Sequence, residues 1–277
     1  MQEETNIITD LHMHSTASDG RMSPSDVMEE AARAGLQMVA LTDHDTLAGL
    51  DEARSAAESR GLIFVNGVEI SARENGEEVH LLAYGFRPED EGLSTFLSLQ
   101  QHRRTERAEE FVRLFRRDGL ITDKQTLPEP APGRSLARPH VAALLVESGA
   151  VSSMQEAFFQ YLVPGTPHFV EKELPSGREV MEVIHHAGGI VCLAHPGHHM
   201  AHQTVMNLIR AAIDGIEVVH PSHDIMLEEY YRSLARRHGL LMSGGSDFHA
   251  RNSHGGSSLG QIRFEPDAAL LQALRTH

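Results

Sequence analysis

The chain has 277 residues, 40% of them hydrophobic and 23% charged, with a single cysteine and a formal charge of −15 when histidine is neutral. That length and balance suit one large soluble domain, or one domain carrying an insertion, and no apolar run approaches the ~18 residues of a membrane span. A disulfide framework is excluded, a secretory leader is not expected ahead of the acidic "MQEETNIITD", and a broad basic nucleic-acid footprint is absent, so the expectation is a cytoplasmic protein that holds any phosphate ligand through local positive charge.

Short apolar runs alternate with amphipathic stretches along the chain. The first strand is expected at Ile7–Leu11. "SPSDVMEEAARAG" then reads as a helix, with Ser23 as cap, Pro24 in the first turn, Asp26 three residues after the cap, and Gly35 as the stop. Met38–Leu41 is the second strand, followed by a helix in "TLAGLDEARSAAESRG". The third, Leu62–Val65 running on toward Ile70, joins the fourth, Val79–Tyr84, through "SARENGEE", which reads as a hairpin. Ile190–Leu193, Ile216–Val219 and Leu240–Met242 complete seven strands, with helices in "SGREVMEVIHHAGG" and "DIMLEEYYRSLARRHG". Continuous apolar strands alternating with helices imply a mostly parallel sheet buried on both faces, closed or nearly closed into a barrel.

From about Asp90 to Gly165 the rhythm changes. "TFLSLQQHRRTERAEEFVRLFRRDG" is one long amphipathic helix with Phe111, Leu114 and Phe115 on one face, "ITDKQTLPEPAPGRS" is turn-rich, and "ARPHVAALLVESGAVSSMQEAFFQYLVPG" holds two short helices. The expected organisation is a barrel in two parts, 1–90 and 166–277, with a helical insertion at 91–165 between strands four and five. Residues 101–140 carry nine basic side chains, Arg134 and Arg138 among them, against six acidic ones including Glu129. That segment is +3 and the rest is −18. Most of these arginines are expected on a solvated helix surface.

Barrel chemistry sits at the carboxyl ends of strands. His12, His14 and Asp19 follow the first strand; Asp43, His44 and Asp45 follow the second; Glu69 ends the third. His80 lies within the fourth, His195 ends the fifth, His220 and His223 follow the sixth, and Asp247 and His249 follow the seventh. One histidine at a strand end is ordinarily a satisfied polar residue; seven strands that each place a ligand type on one rim point to a metal centre. Residues i and i+2 of a strand project the same way, so His12 pairs with His14, and Asp247 with His249. Imidazole and carboxylate donors without thiolates suit Zn, Mn or Fe, and their number exceeds the coordination sphere of one ion, so two or three divalent metal ions are expected. Cys192 sits in an apolar strand as a buried thiol.

"DLHMHSTASDG", "ALTDHDT", "NGVEIS", "EVHLLAYGF", "RPHVA", "AHPG" and "GSDFHA" resemble, in order and over essentially the whole chain, the motifs of the PHP (polymerase and histidinol phosphatase) metal-dependent phosphoesterases. The resemblance is to the stand-alone bacterial branch that includes nucleoside 3′,5′-bisphosphate phosphatases and 5′-to-3′ exoribonucleases. It implies an α/β fold, a distorted seven-stranded β/α barrel with a helical insertion subdomain. It implies a first ion held by His12, His14, Glu69 and Asp247, and Glu69 bridging to a second held by His80 and His195. A third falls to Asp19, His44 and His249, although some members carry histidine where this chain has Asp19. Asp43 would orient a ligand from behind.

The expected activity is hydrolysis of phosphate esters of nucleotides, as a mononucleotide or 3′,5′-bisphosphate phosphatase, through in-line attack on phosphorus by hydroxide generated on the ions. Arg138 is the expected bidentate phosphate donor, with Pro139 setting its backbone and His140 adding a second donor. His223 is expected to donate to phosphate or to protonate the leaving oxygen, ahead of His220. His198, His199 and His202 read as loop residues, while His102, His168, His185, His186 and His254 have no site role. The insertion would roof the barrel mouth, its arginines meeting a second phosphate or a short RNA. The rival readings are a 5′-to-3′ exoribonuclease on short RNA, a histidinol-phosphate-type phosphatase, a C–N hydrolase, and an inactive metal-binding module. No membrane association and no obligate protein partner are expected.

Overall fold

The computed structural model describes residues 7–128, 135–250 and 259–275; Glu129, Arg134 and His254 lie outside them. Seven strands form one sheet in sequence order: β1 Thr9–Asp10, β2 Met38–Leu41, β3 Ile63–Glu74, β4 Glu77–Tyr84, β5 Ile190–Leu193, β6 Gly215–Val219 and β7 Leu241–Gly244. The β1–β2–β3 and β5–β6–β7 pairs are parallel, and β4 is antiparallel to both neighbours. Regular pairing in β1 is shorter than the apolar run Ile7–Leu11 suggests, because the chain beyond Asp10 turns its hydrogen bonds alternately to either side. Leu11 and His14 donate to Gly244 and Phe248, while the Met13 carbonyl accepts from Thr42. These bonds join the two sheet edges and close the barrel.

The β3–β4 hairpin turns on Asn75 and Gly76, both at positive φ (52° and 81°), the backbone a two-residue hairpin of this hand requires. The reversal places the start of β4, not its end, on the rim where the other strands finish. His80 reaches that rim because it is the fourth residue of a strand running backward. The idea that every ligand follows a strand's carboxyl end is corrected accordingly.

The helices lie where the capping signals put them, with two additions. Ser23 Oγ accepts from the Asp26 amide at the start of α1 (Pro24–Arg33), and α2 (Leu50–Glu58) follows β2. Ser176 and Glu179 form a reciprocal box on α6 (Gly177–His186), and Gly239 (φ 68°) stops α8 (Ile225–His238). The additions are α7 (His202–Arg210) and α9 (Ala268–Arg275); His202 is thus a helical residue, and its Nδ1 lies 2.8 Å from the Tyr230 hydroxyl.

Two apolar clusters organise the packing. The larger joins the strands to their flanking helices. The smaller draws only on residues between 108 and 170: Phe111, Val112 and Phe115 of α3 (Glu91–Arg117), Val141, Leu144 and Leu145 of α4 (Arg138–Glu147), Ala157 of α5 (Met154–Ala157), and Leu162 in the π-helical turn Phe158–Leu162. Each buried phenylalanine contributes about 1.5–3 kcal/mol of transfer free energy. Leu114, expected on this face, is only half-buried, and Val112 takes its place. The first half of α3 packs on the larger cluster through Leu93 and Leu97, so this one helix spans both. Among the described residues no helix is long and apolar enough to cross a membrane.

Candidate metal centre

Glu69, on β3 and 1% exposed, lies at the middle of the rim. Its Oε2 is 3.2 Å from His12 Nε2, 3.1 Å from His14 Nε2 and 3.2 Å from His44 Nδ1. Its Oε1 is 2.7 Å from His80 Nδ1 and 3.0 Å from His195 Nε2. Asp247 Oδ1 lies 3.3 Å from His12 Nε2 and 3.2 Å from His14 Nε2. Asp19 is 3.2 Å from His249 Nε2 and 3.8 Å from His44 Nε2. Four groups of potential ligand atoms follow among the described residues: His12, His14, Glu69 and Asp247; His44, Glu69 and His80; His14, Asp19, His44 and His249; and His12, Glu217 and His220. His195 joins through Glu69.

Several of these short contacts are not aligned as hydrogen bonds. His14 Nε2, His44 Nδ1 and His80 Nδ1 are buried and lack a hydrogen-bond partner despite a carboxylate oxygen at 2.7–3.2 Å. Two donors each about 2.0–2.1 Å from one ion at a tetrahedral angle stand about 3.3 Å apart, without pointing at each other. The donor set therefore fits cations better than it fits direct pairing.

The backbone turns these ligands inward under some constraint. His195 (φ 24°), Asp247 (φ 51°) and, beside His44, Asp45 (φ 51°) are non-glycine residues at positive φ, a conformation few such residues adopt. Gly245 is required for a different reason: a Cβ there would stand 2.4 Å from His12 Cβ and 2.5 Å from His12 N. Gly245→Ala is expected to displace His12, lowering stability by about 1–3 kcal/mol and metal content with it. Elemental analysis and thermal unfolding of the purified variant check this; parent metal content would refute it.

The second layer sets the tautomers. His12 Nδ1 donates to Glu217 Oε1 (3.0 Å), leaving Nε2 facing Glu69 and Asp247, and Glu217 Oε2 also accepts the His195 amide at 2.7 Å. His249 Nδ1 donates to the Asp247 carbonyl (2.9 Å), leaving Nε2 for Asp19. Glu217 is fully buried on β6, and sequence reasoning passed it over. A charge inside the all-buried strand "GIEVV" was the available signal, since a buried carboxylate needs a partner.

Burial works against charge on these groups; pairing outweighs it for Glu69, Asp247, His12, His14 and His80, but not for His44, whose pKa burial holds well below the ordinary value. Glu69 and Asp247 are held well below the usual carboxylate range, His44 and His80 leading for Glu69 and His12 for Asp247. Asp247 and Glu69 raise His14 to about 10, and Glu69 raises His80 to about 9. Metal-free protein thus keeps these imidazoles protonated at pH 7.5, whereas a ligand must be neutral. Metal uptake is expected to release protons, and apparent affinity to climb as pH rises toward 9–10. Calorimetric titration in buffers of different ionisation enthalpy measures this; a buffer-independent heat would contradict it.

Beside the rim lies a cavity of about 160 Å³. Asp19, Glu78, His44 and His80 line it together with the cations Arg104, Arg107, Arg138 and Lys172. Arg138, the first residue of α4, is half-buried over the Phe158 ring and makes no ion pair among the described residues. Lys172 is paired to Glu78 (3.0 Å); burial, then the neighbouring Arg104, push its pKa down to about 8. Sequence reasoning missed Lys172, which sits in a stretch without helical or strand periodicity.

A family profile for the PHP domain matches residues 10–237. The chain belongs to the PHP family. It is 35% identical over 266 residues to a 3′,5′-nucleoside bisphosphate phosphatase of Chromobacterium violaceum, covering 93% of this chain and 92% of that one. It is also 35% identical to a 5′-3′ exoribonuclease of Haemophilus influenzae, covering 87% and 89%. A solved structure from Bifidobacterium adolescentis, described as a candidate metal-dependent phosphoesterase, superposes with a TM-score of 0.86 at 31% identity, covering 96% of this chain and 94% of the other.

Within this PHP barrel His223, His220 and His140 stand differently from the expectation. His223 is buried with both ring nitrogens on backbone: Nδ1 donates to the Val218 carbonyl (3.0 Å), and Nε2 accepts from the Gly197 amide (3.2 Å). Burial also lowers its pKa, and with both ring nitrogens committed to backbone it anchors the loop after His195. His220 is nearer the centre, its Nε2 3.5 Å from Asp247 Oδ2, and it groups with His12 and Glu217. His140 does not line the cavity; its Nδ1 accepts the Ala137 amide (3.0 Å) and caps α4. Asp43 keeps the expected supporting place: it accepts from Ser15 N and Oγ (2.7 and 2.6 Å) and from Ser18 Oγ (2.5 Å), bracing the loop that delivers Asp19.

Proposed function

We propose that this chain is a cytoplasmic PHP phosphoesterase that removes phosphate from nucleotides, with mononucleotides or 3′,5′-bisphosphates as substrates. Two or three divalent ions (Mn, Fe or Zn) are held by His12, His14, Glu69 and Asp247, by Glu69, His80 and His195, and by Asp19, His44 and His249. Bound there, such ions supply Lewis acidity, activating water and neutralising phosphoryl charge. Arg138 and Lys172 grip the phosphoryl oxygens within this cavity, and the insertion, residues 91–165, acts as the cap that presents Arg138. Lys172, with a pKa of about 8, is mostly cationic at pH 7.

The observation that carries this reading is the cavity itself, which sets metal-type ligands beside cations, one of them an arginine with no ion-pair partner among the described residues. Beyond Arg138 it continues into a more open cleft, bounded by His80, His195, His199 and Met200. That opening favours, as a second reading, exonucleolytic attack on the 5′ end of short RNA. The two are ranked by giving Mn²⁺-loaded protein a nucleoside 3′,5′-bisphosphate and a 5′-phosphorylated oligoribonucleotide. Phosphate released only from the small substrate is the expected result; stepwise mononucleotide release from the oligomer would favour the second. Neither product would reject the phosphoesterase assignment for both classes.

A further inference from the structure

Arg104 sits midway along α3, on the same face as Leu97, Gln100, Ala108 and Phe111, a cation in the helix's buried stripe. It is only 8% exposed. Its three guanidinium nitrogens go to three different segments. Nε ion-pairs with Asp45 Oδ2, Nη2 donates to Ser71 Oγ (3.0 Å), and Nη1 donates to the Leu136 carbonyl (3.3 Å). Asp45 is equally buried: its Oδ1 accepts from the Ser71 amide (3.3 Å), its own amide donates to the Glu69 carbonyl (2.9 Å), and its carbonyl accepts from Gln101 Nε2 (2.8 Å). Each tied segment leads to a site residue: Asp45 follows His44, Ser71 is two residues beyond Glu69 on β3, and Leu136 precedes Arg138 by two.

The location matters because α3 spans both apolar clusters, and Arg104 lies between the residues it gives to each. Apolar packing is non-directional and leaves the angle between the clusters loosely specified. A planar fork with donors in fixed directions specifies it, as a lysine's single ammonium would not. We propose that Arg104 and Asp45 are positioning residues that set the reach of Arg138 toward the metal rim, joining the placement of Arg138 to that of His44. This rests on the proposed phosphate-binding role of Arg138.

The test titrates inorganic phosphate into Mn²⁺-loaded parent, Arg104→Lys, Arg138→Ala and the double variant, with metal content and Tm measured on each. Arg104→Lys keeps the charge opposite Asp45 but loses the fork. It is expected to retain parent metal content and a Tm close to the parent's, and to weaken phosphate binding about tenfold, yet to change binding by less than about twofold when Arg138 is already alanine. An equal loss in both backgrounds, or no loss in either, would overturn the coupling. So would a variant that no longer unfolds cooperatively, since the pair would then only hold the molecule together. If Arg138→Ala alone binds phosphate as the parent does, the fault lies with the phosphate-binding role, and the coupling falls with it.

Discussion

Glu69→Gln is expected to empty the metal centre and to lower phosphoesterase activity by on the order of 10³ or more, since bound metal contributes several kcal/mol to the transition state and each 1.36 kcal/mol is tenfold. The change is nearly isosteric, so the loss is chemical. One carboxylate faces five imidazoles, His12, His14 and His44 from Oε2 and His80 and His195 from Oε1. An amide offers one weak acceptor and two donors in its place. The metal-free variant should also melt lower at pH 7. The Glu69 pKa is depressed in the fold, so its charge stabilises above the ordinary carboxylate value of 4.5, and that contribution fades as pH falls. Elemental analysis beside steady-state rates decides the matter: full metal content with an unchanged rate would remove Glu69 from the centre.

The rim was legible in the sequence for a physical reason. Strands buried on both faces leave uninterrupted apolar runs, so a His, Asp or Glu at the end of one stands out. The i, i+2 rule then pairs His12 with His14, and Met13, between them, is fully buried in the core. The hairpin at Asn75 and Gly76 announced the reversal of β4, but its effect on which end of β4 reaches the rim was not carried through to His80. What stayed hidden depends on tertiary partners. Arg104 shares the buried face of α3 with Leu97, Ala108 and Phe111 while Arg113 does not, but spacing alone does not name Asp45 as the partner that keeps its charge. The "RPH" of α4 suggests two donors, yet a histidine three residues into a helix can serve its amino end, as His140 does. Helix α7 went unseen because its N-cap, Ala201, has no capping side chain.

Arg138→Ala is expected to reduce phosphoesterase activity by about 10²–10³, the scale of removing one charge-stabilising donor from a reacting centre, while metal content stays at the parent level. The loss separates this reading from its rivals. An amide substrate offers no phosphoryl oxygens to a guanidinium, so a C–N hydrolase would tolerate the change. An inactive metal-binding module would show no rate in either protein. Arg138→Lys should recover only part of the loss, because an ammonium keeps the charge but not the bidentate geometry. Undiminished turnover of a nucleotide monophosphate by Arg138→Ala would reject the role assigned to the residue.

The proposed ligands on this one rim run from the first strand to the last. His12 and His14 leave the ribosome early, and Asp247 and His249 are made more than 230 residues later. At roughly 5–20 residues per second the nascent chain carries half a chelate for tens of seconds before its complement exists. On the proposed ligand sets, the ions that need Asp247 or His249 load only after the last strand has docked, whereas Glu69, His80 and His195 are all made earlier, and a fragment that stops short of residue 247 is expected to lack a complete centre.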